Sequence, residues 1–351
     1  MLKTFTVNLF SLADVKNVFQ NFRTWLLNSR TIALPQSMLP AIAAVAIAST
    51  VADFNIFLAI IGIIGVVFGH LGSNLFDDYF DHTKMHSDYK EKLAHTGVRA
   101  RIAKCDYLTS GKNTVPQLLA ASVIFSGFAL IVGFVIWFFR GNEVIYFAAV
   151  AAFFGLSYSG FPFKFSYRGM GELVIGLMFG PLLMSGVYFA ACGAFSWAIL
   201  FLSIPVGLLV TNIVYSHSIL DFEPDKLANK RTLAVLINNK KGMLVVSFFC
   251  NFSPFIIIAI GAIFGYLSYW YLLVFATFPM ASNLFYLMFQ YYKNPYKEDW
   301  TPKFWMGPME KWEEKTKAGL GWFLIRWMLA RNLLSFFCLI IATVSIFISI
   351  F

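Results

Sequence analysis

Apolar residues run through this chain in long blocks separated by short polar gaps. Blocks near the length of about 20 residues that an α-helix needs to cross a bilayer occupy 32–51, 54–76, 115–139, 143–160, 172–190, 194–217, 242–265, 269–290 and 325–351. The pattern predicts an all-α membrane protein with about nine transmembrane helices and a single transmembrane domain over 31–351. Ahead of the first block, Val15, Val18, Phe19, Phe22, Trp25 and Leu26 recur at helical spacing, with Lys16, Gln20, Asn21 and Arg23 between them. Residues 1–30 therefore read as an amphipathic helix lying on the membrane surface, a plain anchor.

Composition agrees: 59% of the 351 residues are hydrophobic and 13% charged, which is not the balance of a water-solvated globule. The charges then give an orientation, because cytoplasmic loops are enriched in Lys and Arg. With the N-terminus inside, the outer gaps hold no Lys or Arg except Arg140. One missed span would flip every later loop and destroy this segregation. The expected topology is thus multi-pass in the cytoplasmic membrane, N-terminus inside and C-terminus outside. The net charge of +9 is mostly this topology signal, and no nucleic-acid partner is expected. Cys105, Cys192, Cys250 and Cys338 have no paired or metal-ligand spacing, and the N-terminus lacks the pattern of a cleavable signal.

Three inner loops, 78–114, 218–241 and 292–321, exceed ordinary helix connections and suggest a cytoplasmic cap over a site. The last carries Trp300, Trp305 and Trp312 among Lys and Glu and reads first as an interfacial anchor. An acidic helix end follows the second span and another the sixth. That weak symmetry suggests two four-helix units facing each other, plus a ninth helix, around a central cavity.

The first acidic end is Asn74-Leu-Phe-Asp77-Asp78-Tyr79-Phe-Asp81. At 100° per residue Asn74, Asp78 and Asp81 fall at about 0°, 40° and −20°, one helix face, with Asp77 about 60° off it. The second is Asp221-Phe-Glu223-Pro-Asp225, its outer acids one turn apart. Carboxylates near membrane depth are costly and face a cavity or a partner charge. Hard oxygens suit Mg²⁺, usually held by one or two carboxylates plus substrate phosphates. Metal ligands are therefore expected at Asp78, Asp81, Asp221 and Asp225, with Asp77 less favoured and Asn74 assisting. Lys230, Arg231 and Arg30 are positioned to offset phosphate charge.

These residues resemble the two signature motifs of the UbiA superfamily of intramembrane prenyltransferases. Asp225-Lys-Leu-Ala-Asn-Lys230-Arg231-Thr232-Leu-Ala-Val is similar to the D-x-x-x-G-K-R-T-L-A-V stretch of the 1,4-dihydroxy-2-naphthoate prenyltransferase branch. So are Arg30-x-x-x-Leu34-Pro35-x-Ser37-x-x-Pro40, Tyr158-Ser-Gly160-x-Pro162 and Tyr167-Arg-Gly169-Met-Gly171-Glu172 to that branch's corresponding segments. The chain departs from the branch before the second acidic pair, with His217-Ser218-Ile-Leu220-Asp221 where N-N-x-R-D is usual. The resemblance implies a Mg²⁺-dependent enzyme moving an isoprenyl group from a polyprenyl diphosphate to an aromatic acceptor, with 1,4-dihydroxy-2-naphthoate (menaquinone biosynthesis) favoured. A 4-hydroxybenzoate- or homogentisate-like phenol is the alternative acceptor. An ion-coupled transporter is the alternative class, although transporters put such groups nearer the midplane.

Three further residues are candidates for substrate contact. His217, one turn before Asp221, is suited to hydrogen-bond an acceptor hydroxyl or to orient Asp221. Glu172 is expected to pair with Lys164 or Arg168, or to assist the acceptor. Tyr158, with Tyr79 and Phe76, could stabilise an allylic cation through its ring face.

The topology is open to direct test. Reporter fusions joined after Arg140 are expected to register on the outer face, and fusions joined after Lys226 in the cytoplasm. The reverse pattern would overturn the orientation, and both reporters on one face would overturn the span count.

Overall fold

The structure, a computed structural model, describes residues 10–84, 105–227, 229–297 and 300–350. Residues 85–104, the greater part of the predicted cap loop 78–114, lie outside the described residues. The described residues are helical with no strand; one isolated parallel bridge joins Arg168 to Arg231. Two short helices, α1 (Leu12–Gln20) and α2 (Phe22–Asn28), lead into α3 (Pro35–Ala48), α4 (Ile56–Lys84), α5 (Val115–Arg140), α6 (Glu143–Ser159) and α7 (Gly171–Cys192). Then come α8 (Trp197–Leu220), α9 (Lys240–Ile263), α10 (Tyr269–Lys293) and α11 (Gly321–Ile350).

Each predicted apolar block is thus a helix, but not every block has spanning length. Seven helices, α4, α5 and α7 to α11, are long and apolar enough to cross a membrane. The first and fourth blocks form the shorter α3 and α6, of 14 and 17 residues. At 1.5 Å per residue these reach roughly 21 and 26 Å, short of a hydrocarbon core about 30 Å thick.

The N-terminal helices do not simply lie on a lipid surface. Ser11 and Asp14 cap α1 reciprocally, with the Ser11 N–H donating to Asp14 Oδ2 at 2.8 Å. The stripe expected to face lipid packs against protein: Val18 and Trp25 are fully buried, and Phe22 stacks on Phe125 of α5 with centroids 5.4 Å apart. They share a core with Leu71 and Leu75 of α4 and Leu118 of α5. Of the stripe, Phe19 remains exposed. Most of this face is therefore covered by α4 and α5.

Consecutive helices from α3 to α11 pack against one another, and α11 returns to α3 and closes the ring. The interior is unequally filled. Leu209, Phe255, Ile258, Leu284, Leu333 and Phe337 of α8 to α11 fill one half with a dense core. The other half encloses a cavity of about 1770 Å³ walled mainly by α4, α5, α6 and α7. Gly62, Gly65 and Gly69 of α4 and Ala148, Ala151 and Gly155 of α6 are among its lining residues.

Backbone contact between α7 and α8 registers the two halves. A Cβ on Gly207 would lie 2.6 Å from the Gly176 carbonyl oxygen, and one on Gly180 would overlap the Gly207 backbone. Small residues let membrane helices approach this closely. A π-helical turn at Met178–Leu182, containing Pro181, interrupts α7 here. Gly180→Leu is expected to lower the unfolding midpoint in detergent markedly, with overpacking of about 1–3 kcal/mol. Gly133→Ala, whose Cβ would meet nothing within 4 Å, is expected to leave it unchanged or raise it slightly.

Candidate active site

The last turns of α4 bring Asp77, Asp78 and Asp81 to one end of the cavity, and the end of α8 with the short helix Phe222–Leu227 brings Asp221 and Asp225. Asp78 and Asp81 are 2% and 6% exposed, and Asp221 and Asp225 3% each. The Asp225 N–H donates to the Asp221 carbonyl at 2.9 Å, so the predicted one-turn spacing is real helix geometry. The predicted site residues line this cavity except Arg231 and Tyr79, and Tyr79 packs against the core shared with α1 and α2. Arg231 is exposed, and its backbone is held beside Arg168.

Arg30 balances the first cluster. Its left-handed backbone (φ 62°) turns the chain from α2 toward α3. One guanidinium nitrogen donates to Asp78 Oδ1 at 2.7 Å, Asp77 Oδ2 at 3.0 Å and the Asn74 carbonyl at 2.8 Å. Burial works against the charge of Arg30, but Asp78 and Asp77 outweigh it and hold its pKa above the ordinary arginine value. Asn74 completes the clasp by donating its side-chain N–H to the Ser29 carbonyl at 3.0 Å. The predicted Asn74 ligand is therefore also a brace for the turn that carries Arg30.

Hydroxyls meet the other carboxylate oxygens. Tyr107 donates to Asp78 Oδ2 at 3.0 Å; burial foremost, then Asp78, raises the phenol well above its usual range, so it stays a donor. Ser159, at the end of α6, donates to Asp77 Oδ1, and Tyr167 donates to Asp81 Oδ1. The ring of Tyr167 lies 5.5 Å from Lys230 Nζ. The α6–α7 connection thus links the first acidic cluster to the basic segment after the second. Gly169 makes this passage possible: its φ is +73°, and a Cβ there would overlap the Leu236 side chain.

Glu172 differs from expectation. It is buried, and its Oε1 accepts from Ser218 Oγ at 2.6 Å and from the Leu233 N–H at 3.1 Å, not from Lys164 or Arg168. Neutral donors suit a buried carboxylate that ties α7 to α8 and to the segment after Asp225. His217 Nε2 lies 3.3 Å from Asp221 Oδ2, and its ring stands edge-on to Phe323. Tyr158 is half-buried in the wall.

Sequence reasoning missed Tyr107, Ser159 and the bracing role of Tyr167. Ser159 and Tyr167 lay inside the quoted segments, which was signal enough; Tyr107 had none, because only tertiary folding brings it to Asp78. It also missed Lys112, Lys311 and Lys315 at the cavity. The last two belong to the loop 292–321 that had read as an anchor.

Among the described residues no group of three or more His, Cys, Asp or Glu forms a closed metal cage. The donor set still fits Mg²⁺. Buried carboxylate oxygens from two helix ends open on one cavity, and such an ion takes one or two carboxylates, waters and substrate phosphates rather than an all-protein cage.

The arrangement matches known proteins. Residues 37–307 match the model of the UbiA prenyltransferase family. The chain is 28% identical to 2-carboxy-1,4-naphthoquinone phytyltransferase of Synechocystis, over 63% of this chain and 68% of that one. It is 25% identical to 1,4-dihydroxy-2-naphthoate octaprenyltransferase of Bacillus subtilis, over 72% and 77%. Among solved structures, a UbiA homologue from Archaeoglobus fulgidus bound to GPP and Mg²⁺ superposes with a TM-score of 0.56 at 15% identity, covering 88% of this chain and 97% of that one. Fold, motifs and the extent of the match agree: the chain belongs to the UbiA prenyltransferase family and is a membrane-embedded prenyltransferase.

Proposed function

We propose that this chain transfers an isoprenyl group from a polyprenyl diphosphate to a hydroxylated aromatic ring, with 1,4-dihydroxy-2-naphthoate as the acceptor, in a menaquinone-type pathway. One observation carries the reading: five carboxylates from two helix ends share a single cavity that continues between the apolar helices α4, α5, α6 and α7. The names of the naphthoate-using relatives support the acceptor. The charge segregation supports nine spans in the cytoplasmic membrane, N-terminus inside and C-terminus outside, with the acids facing the cytoplasm.

Asp78, Asp81, Asp221 and Asp225 would hold Mg²⁺ at the diphosphate end, with Asp77 beside them. When bound, Mg²⁺ supplies positive charge to the phosphate oxygens and so makes diphosphate a better leaving group. Lys230 adds a fixed charge from the second helix end. Arg30 holds the acid cluster in register and is near enough to shift to phosphate once the acids are otherwise engaged. As the allylic C–O bond breaks, its electron pair leaves with diphosphate. The new C–C bond forms from a π pair of the acceptor ring, which then loses a proton or its carboxylate to regain aromaticity. An allylic cation would be captured by water, so the apolar lower wall serves to exclude it. Positioned charges in such a dry site stabilise the leaving group far more than in bulk water.

Purified protein with Mg²⁺, geranylgeranyl diphosphate and 1,4-dihydroxy-2-naphthoate is expected to give prenylated product by mass spectrometry. Asp78→Asn and Asp221→Asn should each reduce turnover by about 10²-fold or more. Tyr167→Phe, which removes one hydrogen bond to Asp81, should reduce it by roughly tenfold. Turnover that survives both Asp changes, or that continues after chelation of divalent metal, would refute the mechanism. Product from a 4-hydroxybenzoate-like phenol alone would move the acceptor to that class.

A further inference from the structure

Two helical turns along α4 from Asp77, the cavity wall carries a polar side chain that the diphosphate does not explain. His70 is 8% exposed and lines the cavity, about 10 Å from the acid end at 1.5 Å per residue. The cavity lining near it in the chain holds Val66 and Gly69 on one side and Ser73 and Asn74 on the other, and Phe179 meets the imidazole edge-on with centroids 4.8 Å apart.

The hydrogen bonds around His70 define its tautomer. Nδ1 lies 2.7 Å from Ser37 Oγ in α3, and Ser37 Oγ lies 3.1 Å from the Leu34 carbonyl oxygen. A carbonyl only accepts and a hydroxyl has one proton. Both contacts are therefore satisfied together when Ser37 donates to Leu34 and His70 Nδ1–H donates to Ser37. The lone pair is then on Nε2, which makes no hydrogen bond among the described residues. A basic nitrogen left so in a largely buried position is unfavourable unless a donor meets it.

Donor chemistry selects the occupant. The prenyl tail is hydrocarbon and has no donor, and the diphosphate oxygens are acceptors. Of the two substrates in the proposed reaction, only a hydroxylated aromatic ring brings an O–H. The distance from the acids also suits it, since the reacting carbon of a diphosphate ester must lie beyond its phosphates. We propose that His70 Nε2 accepts a hydrogen bond from a ring hydroxyl of the aromatic acceptor and thereby orients the ring toward the allylic carbon, with Ser37 as the positioning residue that holds the tautomer. This rests on the aromatic reading above.

The test is equilibrium binding to the full chain in detergent with Mg²⁺ and a non-reacting thiolodiphosphate analogue of geranylgeranyl diphosphate. The ligands are 1,4-dihydroxy-2-naphthoate and its dimethoxy analogue. The native protein is expected to prefer the dihydroxy compound by about tenfold, the scale of one hydrogen bond. His70→Ala should abolish the preference, and His70→Gln, which keeps an acceptor, should retain part of it. The affinity for the thiolodiphosphate analogue, measured alone, should stay within about twofold in both, which also reports that they are folded. A preference that persists in His70→Ala would overturn the proposal, as would a loss falling on the thiolodiphosphate analogue, or no preference in the native protein, the result expected if water alone meets Nε2. Turnover measured alongside separates the two readings. Product formation with no role for His70 removes only this inference, hydroxyl-dependent binding without product removes only the transferase acceptor, and no binding of either aromatic removes both.

Discussion

Burying carboxylates beside a bilayer is the constraint on which this structure depends. Removing an ion from water costs several kcal/mol unless charge and hydrogen bonds are returned to it. Here they are returned from distant parts of the chain. Arg30 arrives on a left-handed turn ahead of the first membrane helix. Tyr107 comes from the segment before α5, Ser159 from the end of α6 and Tyr167 from the connection that follows. Each of these contacts also ties one element to α4, so meeting the acids' electrostatic demand assembles the mouth of the cavity.

The same demand gives the N-terminal helices a role. Trp25 and Val18 bury the apolar face of α1 and α2 against α4 and α5, and the Ser29 carbonyl is held by Asn74. Arg30 is then carried by a packed support rather than by a free arm. A guanidinium so held loses less conformational entropy on pairing than one on a mobile segment.

Packing decides where the cavity lies. The half of the ring built from α8 to α11 is filled by branched and aromatic side chains, whereas the other half, between α4, α5, α6 and α7, stays hollow. Close backbone contact of Gly176 and Gly180 with Gly207 then holds the hollow half against the filled one and brings Glu172, Ser218 and Leu233 together at the acid end. The hollow half thus opens onto the two acidic helix ends.

Much of this was legible in the residues themselves. Long apolar blocks became helices, and the 100° step of an α-helix brought Asn74, Asp78 and Asp81 toward one cavity, because those properties depend on neighbours within two turns. The rest was not legible, for the complementary reason. Asp77, set off the acidic face by its angle, joins the cluster because Arg30 and Ser159 reach it from other elements. Glu172, expected to seek a cation, is satisfied by a hydroxyl and a backbone N–H that only the α7–α8 packing brings near. The stripe on α1 and α2 read as lipid-facing because an apolar face carries no mark of whether lipid or protein will cover it. Helicity, membrane character and the two acidic motifs are local properties, and the sequence by itself determined them. Which cations and hydroxyls meet the acids, and which half of the ring stays hollow, are contacts between distant segments, and only the tertiary structure decided them.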